Sequence, residues 1–158
     1  MTAPYGGGCQ CGRIRYEIHG EPLAIYACHC RECQKQSASA FGLSMPVLRS
    51  ALRLTGDEPA RFERRAASGR VVAATFCPAC GTRLFHEPSR NPEIVNIKPG
   101  TLDDTSWIMP VAHVWTSSKQ LWVDIPSDVL RFDAQPPDPQ AIYDRWREVQ
   151  RKRRATTK

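Results

Sequence analysis

Apolar and polar side chains alternate along several short stretches of this chain. In residues 13–18, Arg-Ile-Arg-Tyr-Glu-Ile, every second residue is apolar, which is typical of a β-strand with one buried face. Comparable stretches predict further strands, separated mostly by the turn-forming residues Gly, Pro, Asn and Asp. They lie near residues 23–28, 40–48, 60–66, 70–76, 83–87, 93–97, 107–115 and 120–123. The pattern therefore predicts a fold that is mostly β.

Two stretches predict helices instead of strands. The first is short, covers about residues 31–38 and follows the middle group of cysteines. The second begins after Asp138, an effective N-cap, with Pro139 at the first helical position. Its apolar side, which we expect to pack on the rest of the fold, is formed by Ile142, Trp146 and Val149. Together with the strands, these helices predict an α+β fold.

The length of 158 residues fits a single domain with a sizeable core. We expect residues 1–135 to form that domain and residues 136–158 to add a C-terminal helix and a basic tail that packs on it or trails from it. No apolar run approaches the roughly 18 residues that a membrane helix needs, so we expect no membrane partner. The first residues lack the basic and apolar parts of a secretory signal, which favours a cytoplasmic protein.

The net charge of +6 is confined to one end of the chain. Residues 145–158 contain seven Lys or Arg and one Glu, which leaves 15 basic and 15 acidic residues in the remainder. Because that remainder has no basic excess, we expect no nucleic-acid partner. The basic run at residues 151–154 is typical of a solvated chain end.

Seven cysteines carry the most specific signal, and all of them lie in three clusters. The clusters read Cys9-Gln10-Cys11, Cys28-His29-Cys30-Arg31-Glu32-Cys33 and Cys77-Pro78-Ala79-Cys80. In a reducing compartment, clustered cysteines indicate metal ligands or catalytic thiols rather than disulfides.

The first and third clusters together offer four ligands. Cys77 and Cys80 precede Gly81 in a sequence typical of a zinc knuckle, whereas a lone C-x-x-C could also be a redox pair. On an extended strand Cys9 and Cys11 share one face and can reach the same ion. Four thiolates complete a tetrahedral zinc site, and a closed set of this kind is structural.

The middle cluster offers three ligands. Cys28 and Cys30 share a strand face, and Cys33 follows at the start of the predicted short helix. Three protein ligands leave the fourth position of a zinc ion for water or substrate, as in catalytic sites. His29 alternates to the opposite face, which favours a packing or supporting role. The spacing also allows a different partition, in which Cys33 joins the knuckle.

An all-thiolate zinc site favours a particular chemistry. Three thiolates make zinc a weak Lewis acid for generating hydroxide. Such a site suits a further thiol, which it would hold as a nucleophile. The ligand set therefore predicts a thiol substrate and a small electrophile such as an aldehyde.

Three cysteine motifs and a later segment resemble the glutathione-dependent formaldehyde-activating, or centromere-protein-V-like, family. The segments are Gly7–Tyr16, Cys28–Lys35, Phe76–Thr82 and Pro110–Lys119 with Trp122, so the resemblance runs from about residue 6 to 132. It implies a β-tent-like, zinc-stabilised fold, with a structural zinc held by Cys9, Cys11, Cys77 and Cys80. It also implies a labile catalytic zinc held by Cys28, Cys30 and Cys33. The family's namesake activity joins glutathione and formaldehyde into S-(hydroxymethyl)glutathione, a carbon–sulfur lyase reaction in reverse that serves detoxification.

Further residues are candidates for contacts with substrate. Near the middle cluster these are Lys35, Gln36 and Ser37 on the short helix, where amide groups would favour an anionic ligand. Further along the chain they are His113 and Trp115, whose alternation is also typical of a core strand. Lys119 and Arg31 are candidates for binding a glutathione carboxylate. The leading hypothesis is an enzyme acting on a small thiol and an aldehyde, and the alternative is a non-catalytic zinc-stabilised binding module or a glutathione carrier.

Overall fold

A computed structural model describes residues 3–66 and 69–156 of the protein. In chain order its elements are β1 (Tyr5–Gly8), β2 (Ile14–Ile18), β3 (Tyr26–Cys28), α1 (Arg31–Ser37), β4 (Gly42–Leu48), β5 (Leu52–Gly56), β6 (Ala60–Arg65), β7 (Val71–Phe76), β8 (Arg83–Pro88), β9 (Ile94–Ile97), β10 (Ala112–Val114), β11 (Leu130–Phe132) and α2 (Gln140–Thr156). Short 3-10 turns occupy Arg49–Ala51, Pro99–Thr101 and Thr116–Ser118. Met1 and Thr2 at the start of the chain, and Thr157 and Lys158 in the predicted basic tail, lie outside the described residues.

The predicted α+β fold, mostly β with two α-helices, is confirmed within the part of the chain that the structure describes. Two strand predictions are wrong. Residues 120–123 form a turn, and the strand predicted over residues 107–115 is reduced to β10. The division at residue 135 stays a prediction. No helix in residues 3–66 and 69–156 has the length and apolar character needed to cross a membrane.

The described residues fall into two compact units, the first within Met1–Pro22 and Met45–Ile108. In this unit β2 lies between β1 and β5, and both pairings are antiparallel. The last four residues of β4 pair with β9, and β8, β7 and β6 follow in that order. The alternation that predicted β2 places Ile14, Tyr16 and Ile18 in the core, with the residues between them exposed.

The second unit lies within Leu23–Ser44 and Met109–Lys158. Its strand order is β11, β10, β3 and the first three residues of β4. β10 runs parallel to both of its neighbours, whereas β3 and β4 are antiparallel. In α2 the amide of Gln140 donates to Oδ1 of Asp138 at 2.9 Å, as the predicted N-cap requires, and Ile142 and Trp146 are buried.

Candidate metal centres

Four cysteines of the first unit converge at two turns. Cys9 and Cys11 lie between β1 and β2, and Cys77 and Cys80 lie between β7 and β8. The Sγ atoms of Cys9 and Cys11 are 3.4 Å apart, and those of Cys11 and Cys77 are 3.7 Å apart. All four Sγ atoms lie within 4.8 Å of one another and could hold a metal ion. The structure thus brings together the four residues that the sequence assigned to one site.

Glycines with left-handed backbone allow both turns to fold back on their cysteines. Gly12 has φ 76° and donates its amide to the carbonyl of Cys9 at 3.0 Å. Gly81 has φ 72° and donates in the same way to the carbonyl of Cys77 at 2.8 Å. Residues with a Cβ rarely adopt this conformation, so both positions favour glycine.

Hydrogen-bond donors already stabilise negative charge in this four-cysteine cluster. The hydroxyl of Thr82 lies 3.2 Å from Sγ of Cys80. Hydrogen bonds from the Thr82 side chain and amide, followed by the Cys11 amide, lower the pKa of Cys80 to about 5. A thiolate is the form that binds metal, so Cys80 is prepared for a cation.

Three cysteines of the second unit form another cluster. Cys28 ends β3, Cys30 is the N-cap residue of α1, and Cys33 lies in the first turn of that helix. Their Sγ atoms lie within 4.8 Å of one another and could hold a metal ion. Among the described residues, no fourth Cys, His, Asp or Glu joins the group at that distance. Cys33 therefore groups with Cys28 and Cys30, and not with the knuckle.

Close contact among the three thiols disfavours the state in which all of them are ionised. Contacts with Cys28 and Cys33, and the amides of Cys33 and Glu32, lower the pKa of Cys30 to about 2. Contacts with Cys30, then with Cys33, together with burial, raise the pKa of Cys28. This uneven pattern arises because like charges in close contact disfavour one another. A divalent cation would remove the conflict, and three sulfur ligands suit a soft metal such as zinc.

Gly42 lies against the same cluster. It is the register partner of Cys28, and a Cβ built on it would lie 3.3 Å from Cβ and 3.7 Å from Sγ of Cys33. A side chain at this position would therefore crowd Cβ of Cys33, whose Sγ is one of the three sulfur ligands. The absence of a Cβ helps to preserve the space in which the thiols converge.

The two buried histidines of the second unit lie on the other side of the sheet. His113 pairs in register with Ala27, whereas Val114 pairs with Cys28, so His113 and Cys28 project to opposite faces. Nε2 of His29 lies 2.8 Å from Nδ1 of His113. Burial, then the charges of His29, Arg131 and Lys119, lower the pKa of His113 to about 4.

The other candidates for substrate contact are placed differently. Lys35, Gln36 and Ser37 of α1 are exposed. Trp115 is partly exposed and has a left-handed backbone with φ 59°. Lys119 donates through Nζ to the carbonyl oxygens of Gln120 at 3.1 Å and Val123 at 2.7 Å, which ties it to its own turn.

Gln34 is a residue near the cluster that the sequence analysis missed. It is buried on α1 and bonded to the His29 carbonyl, the Ser118 carbonyl and the Arg31 guanidinium. One signal was present: Gln34 follows Cys30 by four residues, so the two share a helix face. Its partner Ser118 is 84 residues away, however, and no local pattern indicates that contact.

Comparison with known proteins identifies the family. The model of the glutathione-dependent formaldehyde-activating enzyme family matches residues 4–118, more than half of the chain. The chain belongs to this family. All seven cysteines lie within the residues that match the formaldehyde-activating family, whereas α2 lies beyond them.

A solved structure supports the fold. A crystal structure of a Rhodobacter sphaeroides protein is similar with a TM-score of 0.52 at 20% sequence identity. The match covers 65% of this chain and 91% of that one. At this identity the similarity concerns the fold, and the family assignment rests on the match to the formaldehyde-activating family model.

Proposed function

We propose that this protein is a zinc enzyme that adds the thiol of glutathione to formaldehyde and forms S-(hydroxymethyl)glutathione. The observation that carries the proposal is the three-cysteine cluster of the second unit, which no fourth ligand joins among the described residues. Three protein ligands leave one position for an exogenous group, whereas the four-cysteine cluster is a complete structural set. The family's name supplies the thiol and the aldehyde.

In this proposal Cys28, Cys30 and Cys33 hold the catalytic zinc. When bound, zinc supplies a thiophilic Lewis acid that lowers the pKa of a coordinated thiol. The amide of Cys33, which lies 3.4 Å from Sγ of Cys30, helps to keep that ligand ionised. Cys9, Cys11, Cys77 and Cys80 hold the structural zinc.

The addition needs no oxidant or reductant. The sulfur electron pair of glutathione forms a bond to the carbonyl carbon of formaldehyde, and the carbonyl π electrons move to oxygen. The proton lost from the thiol is balanced by one gained at that oxygen, from water or a nearby side chain. In the reverse direction the same steps constitute a carbon–sulfur lyase.

We assign substrate contacts to the exposed side of α1, at Lys35, Gln36 and Ser37, and to the partly exposed Trp115. The glutathione carboxylates are anionic, and Lys35 offers an exposed cation two residues after Cys33. For His113 we propose an indirect role, since it lies on the sheet face opposite to Cys28. A cytoplasmic location fits seven cysteines of which none is in a disulfide.

Calorimetric titration of the fully zinc-loaded protein with reduced glutathione tests the proposal. S-methylglutathione is the control, because it keeps both carboxylates and lacks the thiol. We expect saturable binding of glutathione alone, and loss of that binding in Cys30→Ser with the four-cysteine zinc retained. Formation of the adduct from ¹³C-formaldehyde, followed by NMR, should then be faster with the wild-type protein than with Cys30→Ser. Equal binding of both peptides, or binding of neither, would contradict the proposal.

A further inference from the structure

Gln34 differs from its neighbours on α1 because its side chain is buried. It is 8% exposed, whereas Lys35, Gln36 and Ser37 are exposed. A buried carboxamide needs partners for its donors and acceptor. Nε2 of Gln34 donates to the carbonyl oxygens of His29 at 2.7 Å and Ser118 at 2.9 Å. With both donors used, the amide group has a fixed orientation.

The His29 carbonyl, which accepts one of these two bonds from Gln34, belongs to the segment that carries the sulfur ligands. The carbonyl of His29 lies between Cys28 and Cys30 in the chain. It accepts a second bond from the hydroxyl of Ser118 at 2.9 Å. Gln34 and Ser118 therefore hold the same peptide group, which fixes the direction in which Cys30 leaves the strand.

Gln34 is also tied to the other ligands of the cluster. The backbone N–H of Gln34 donates to the carbonyl of Cys30 at 3.0 Å in the first turn of α1, and Gln34 directly follows Cys33 in the chain. Its Oε1 accepts a bond from the Arg31 guanidinium at 3.2 Å, which links a third residue of the same turn. One side chain thus connects the end of β3 with the start of α1.

Ser118, the other acceptor of the Gln34 side chain, lies in a turn that is held by further hydrogen bonds. Ser118 closes the 3-10 turn Thr116–Ser118 by donating its backbone amide to the Trp115 carbonyl at 3.2 Å. The hydroxyl of Ser117 donates to the carbonyl of Asp133 at 2.6 Å. The ligand segment is therefore supported by a turn 84 residues further along the chain, and not by α1 alone.

We propose that Gln34 is a positioning residue for the three-cysteine cluster. Its side chain holds the His29–Cys30 peptide group so that the three Sγ atoms converge on a thiophilic divalent cation. Loss of the side-chain carboxamide of Gln34 weakens cation binding at this cluster and leaves cation binding at the four-cysteine cluster unchanged. The inference rests on the proposed function only in that the three-cysteine cluster binds metal. It does not depend on which thiol or aldehyde reacts. Groups that orient metal ligands typically change metal affinity by about 10–100-fold when removed.

Gln34→Met is the variant of choice. Methionine is nearly isosteric with glutamine and equally compatible with a helix, but it lacks both donors. Gln140→Met is the matched control, because Gln140 is an exposed glutamine on α2 that bonds to Asp144. It introduces the same chemical change far along the chain from every cysteine.

Cobalt(II) is a suitable probe, since thiolate-to-cobalt absorption reports binding at each cluster. Titration against a chelator gives two affinities, and the one missing in Cys30→Ser belongs to the three-cysteine cluster. We expect Gln34→Met to weaken that affinity by about 10–100-fold. The other affinity, the circular dichroism and the Gln140→Met control should match the wild type.

Each other outcome counts against the inference. Unchanged cobalt affinity in Gln34→Met overturns it, and so does an equal loss at both clusters, which would indicate general destabilisation. If Gln34→Met does not fold, Ser118→Ala is the second variant, because it removes one of the two hydrogen bonds to the His29 carbonyl. It should weaken the cobalt affinity of the three-cysteine cluster several-fold. An unchanged cobalt affinity in Ser118→Ala overturns the inference. The proposed function requires two cobalt ions per wild-type protein, one for each cluster. Uptake of only one ion would contradict the proposed function itself, and the wild-type titration shows this before any variant is tested.

Discussion

Nε2 of His29 and Nδ1 of His113 lie 2.8 Å apart, and the two rings stack with their centroids 5.0 Å apart. One nitrogen must donate and the other accept, which neutral imidazoles can do. Both rings are almost fully buried. A proton added to His113 would place a charge in this enclosed pair, close to the cations of Lys119 and Arg131. The pair is therefore stable in its neutral form.

The first prediction is a loss of stability in acid that depends on His113. Its pKa is lowered in the folded protein from 6.5 to about 4, by burial first and then by His29, Arg131 and Lys119. Because the unfolded chain then binds more protons, the free energy of unfolding should fall as pH drops from about 6.5 towards 4. His113→Gln removes this titration and should reduce the pH dependence in urea unfolding measured at pH 7, 6 and 5, with the remainder due to His29 and His86, whose pKa values burial also lowers.

Loss of a bound metal ion in acid would affect all variants alike, so the comparison needs an exposed histidine. His19→Gln is that control, since His19 is partly exposed and bonded to Glu17. It should retain the wild-type pH dependence. If His113→Gln and His19→Gln have the same profile, the neutral pair is not the source of the acid sensitivity.

The second prediction concerns metal removal. The four-cysteine cluster joins segments 66 residues apart, as measured between Cys11 and Cys77. A metal ion that binds only the assembled cluster stabilises the folded chain through its binding free energy. Cys77→Ser removes a ligand that connects two distant segments, so it should lower the free energy of unfolding markedly, and Cys30→Ser, whose cluster is local in sequence, should lower it by clearly less. Urea unfolding together with native mass spectrometry of zinc content checks both, and equal losses would show that the two clusters are equally structural.

The third prediction uses Gly42. In Gly42→Ala the new methyl group lies 3.3 Å from Cβ of Cys33, so this ligand side chain must move by a few tenths of an ångström. Overpacking of this kind costs about 1–3 kcal/mol, and the cobalt spectrum of the three-cysteine cluster should change. Gly100→Ala is the control, because a Cβ built there meets nothing within 4 Å. A wild-type spectrum in Gly42→Ala would show that the cluster tolerates the methyl group.

The fourth prediction concerns the end of α1. Ala38 caps this helix in a left-handed conformation with φ 48°. Glycine adopts that conformation without the steric cost borne by alanine, so Ala38→Gly should raise the free energy of unfolding by about 0.5–1 kcal/mol. Ala141→Gly, in the first turn of α2, should lower it instead. Thermal and urea unfolding would distinguish the signs, and a destabilised Ala38→Gly would contradict the prediction.

The sequence predicts elements that follow one local rule and misses those that depend on distant contacts. β2 was predicted because Ile14, Tyr16 and Ile18 alternate with polar residues. β1 was missed because three of its four residues are glycines, which have low strand propensity. The structure shows why they are tolerated: a Cβ on Gly7 would collide with the Tyr16 ring.

The strand predicted near residues 120–123 was wrong for a related reason. Its apolar residues suggested burial, but Leu121 is 97% exposed and Trp122 is 72% exposed. Lys119 donates to the carbonyls of Gln120 and Val123, so these groups are bonded to a side chain. A hydrophobic pattern alone contains no information about this competition for backbone acceptors.

The candidate site divides in the same way. The spacing favoured the grouping of the seven cysteines into four and three, because each group is assembled from turns of a few residues, but it also allowed Cys33 to join the knuckle, and the structure decides between the two. The roles of Gln34 and His113 could not be read from spacing, since their partners Ser118 and His29 are each 84 residues away.

The two clusters also differ in when their ligands become available during synthesis. Cys28, Cys30 and Cys33 emerge from the ribosome almost together, whereas Cys77 follows Cys11 by 66 residues. Cys80 completes the four-cysteine set 69 residues after Cys11, so at about 5–20 residues per second the set is incomplete for roughly 3–14 seconds. A nascent chain therefore presents a complete three-thiol set before its four-thiol set, so a metal ion that reached the chain during translation would meet the three-cysteine cluster first.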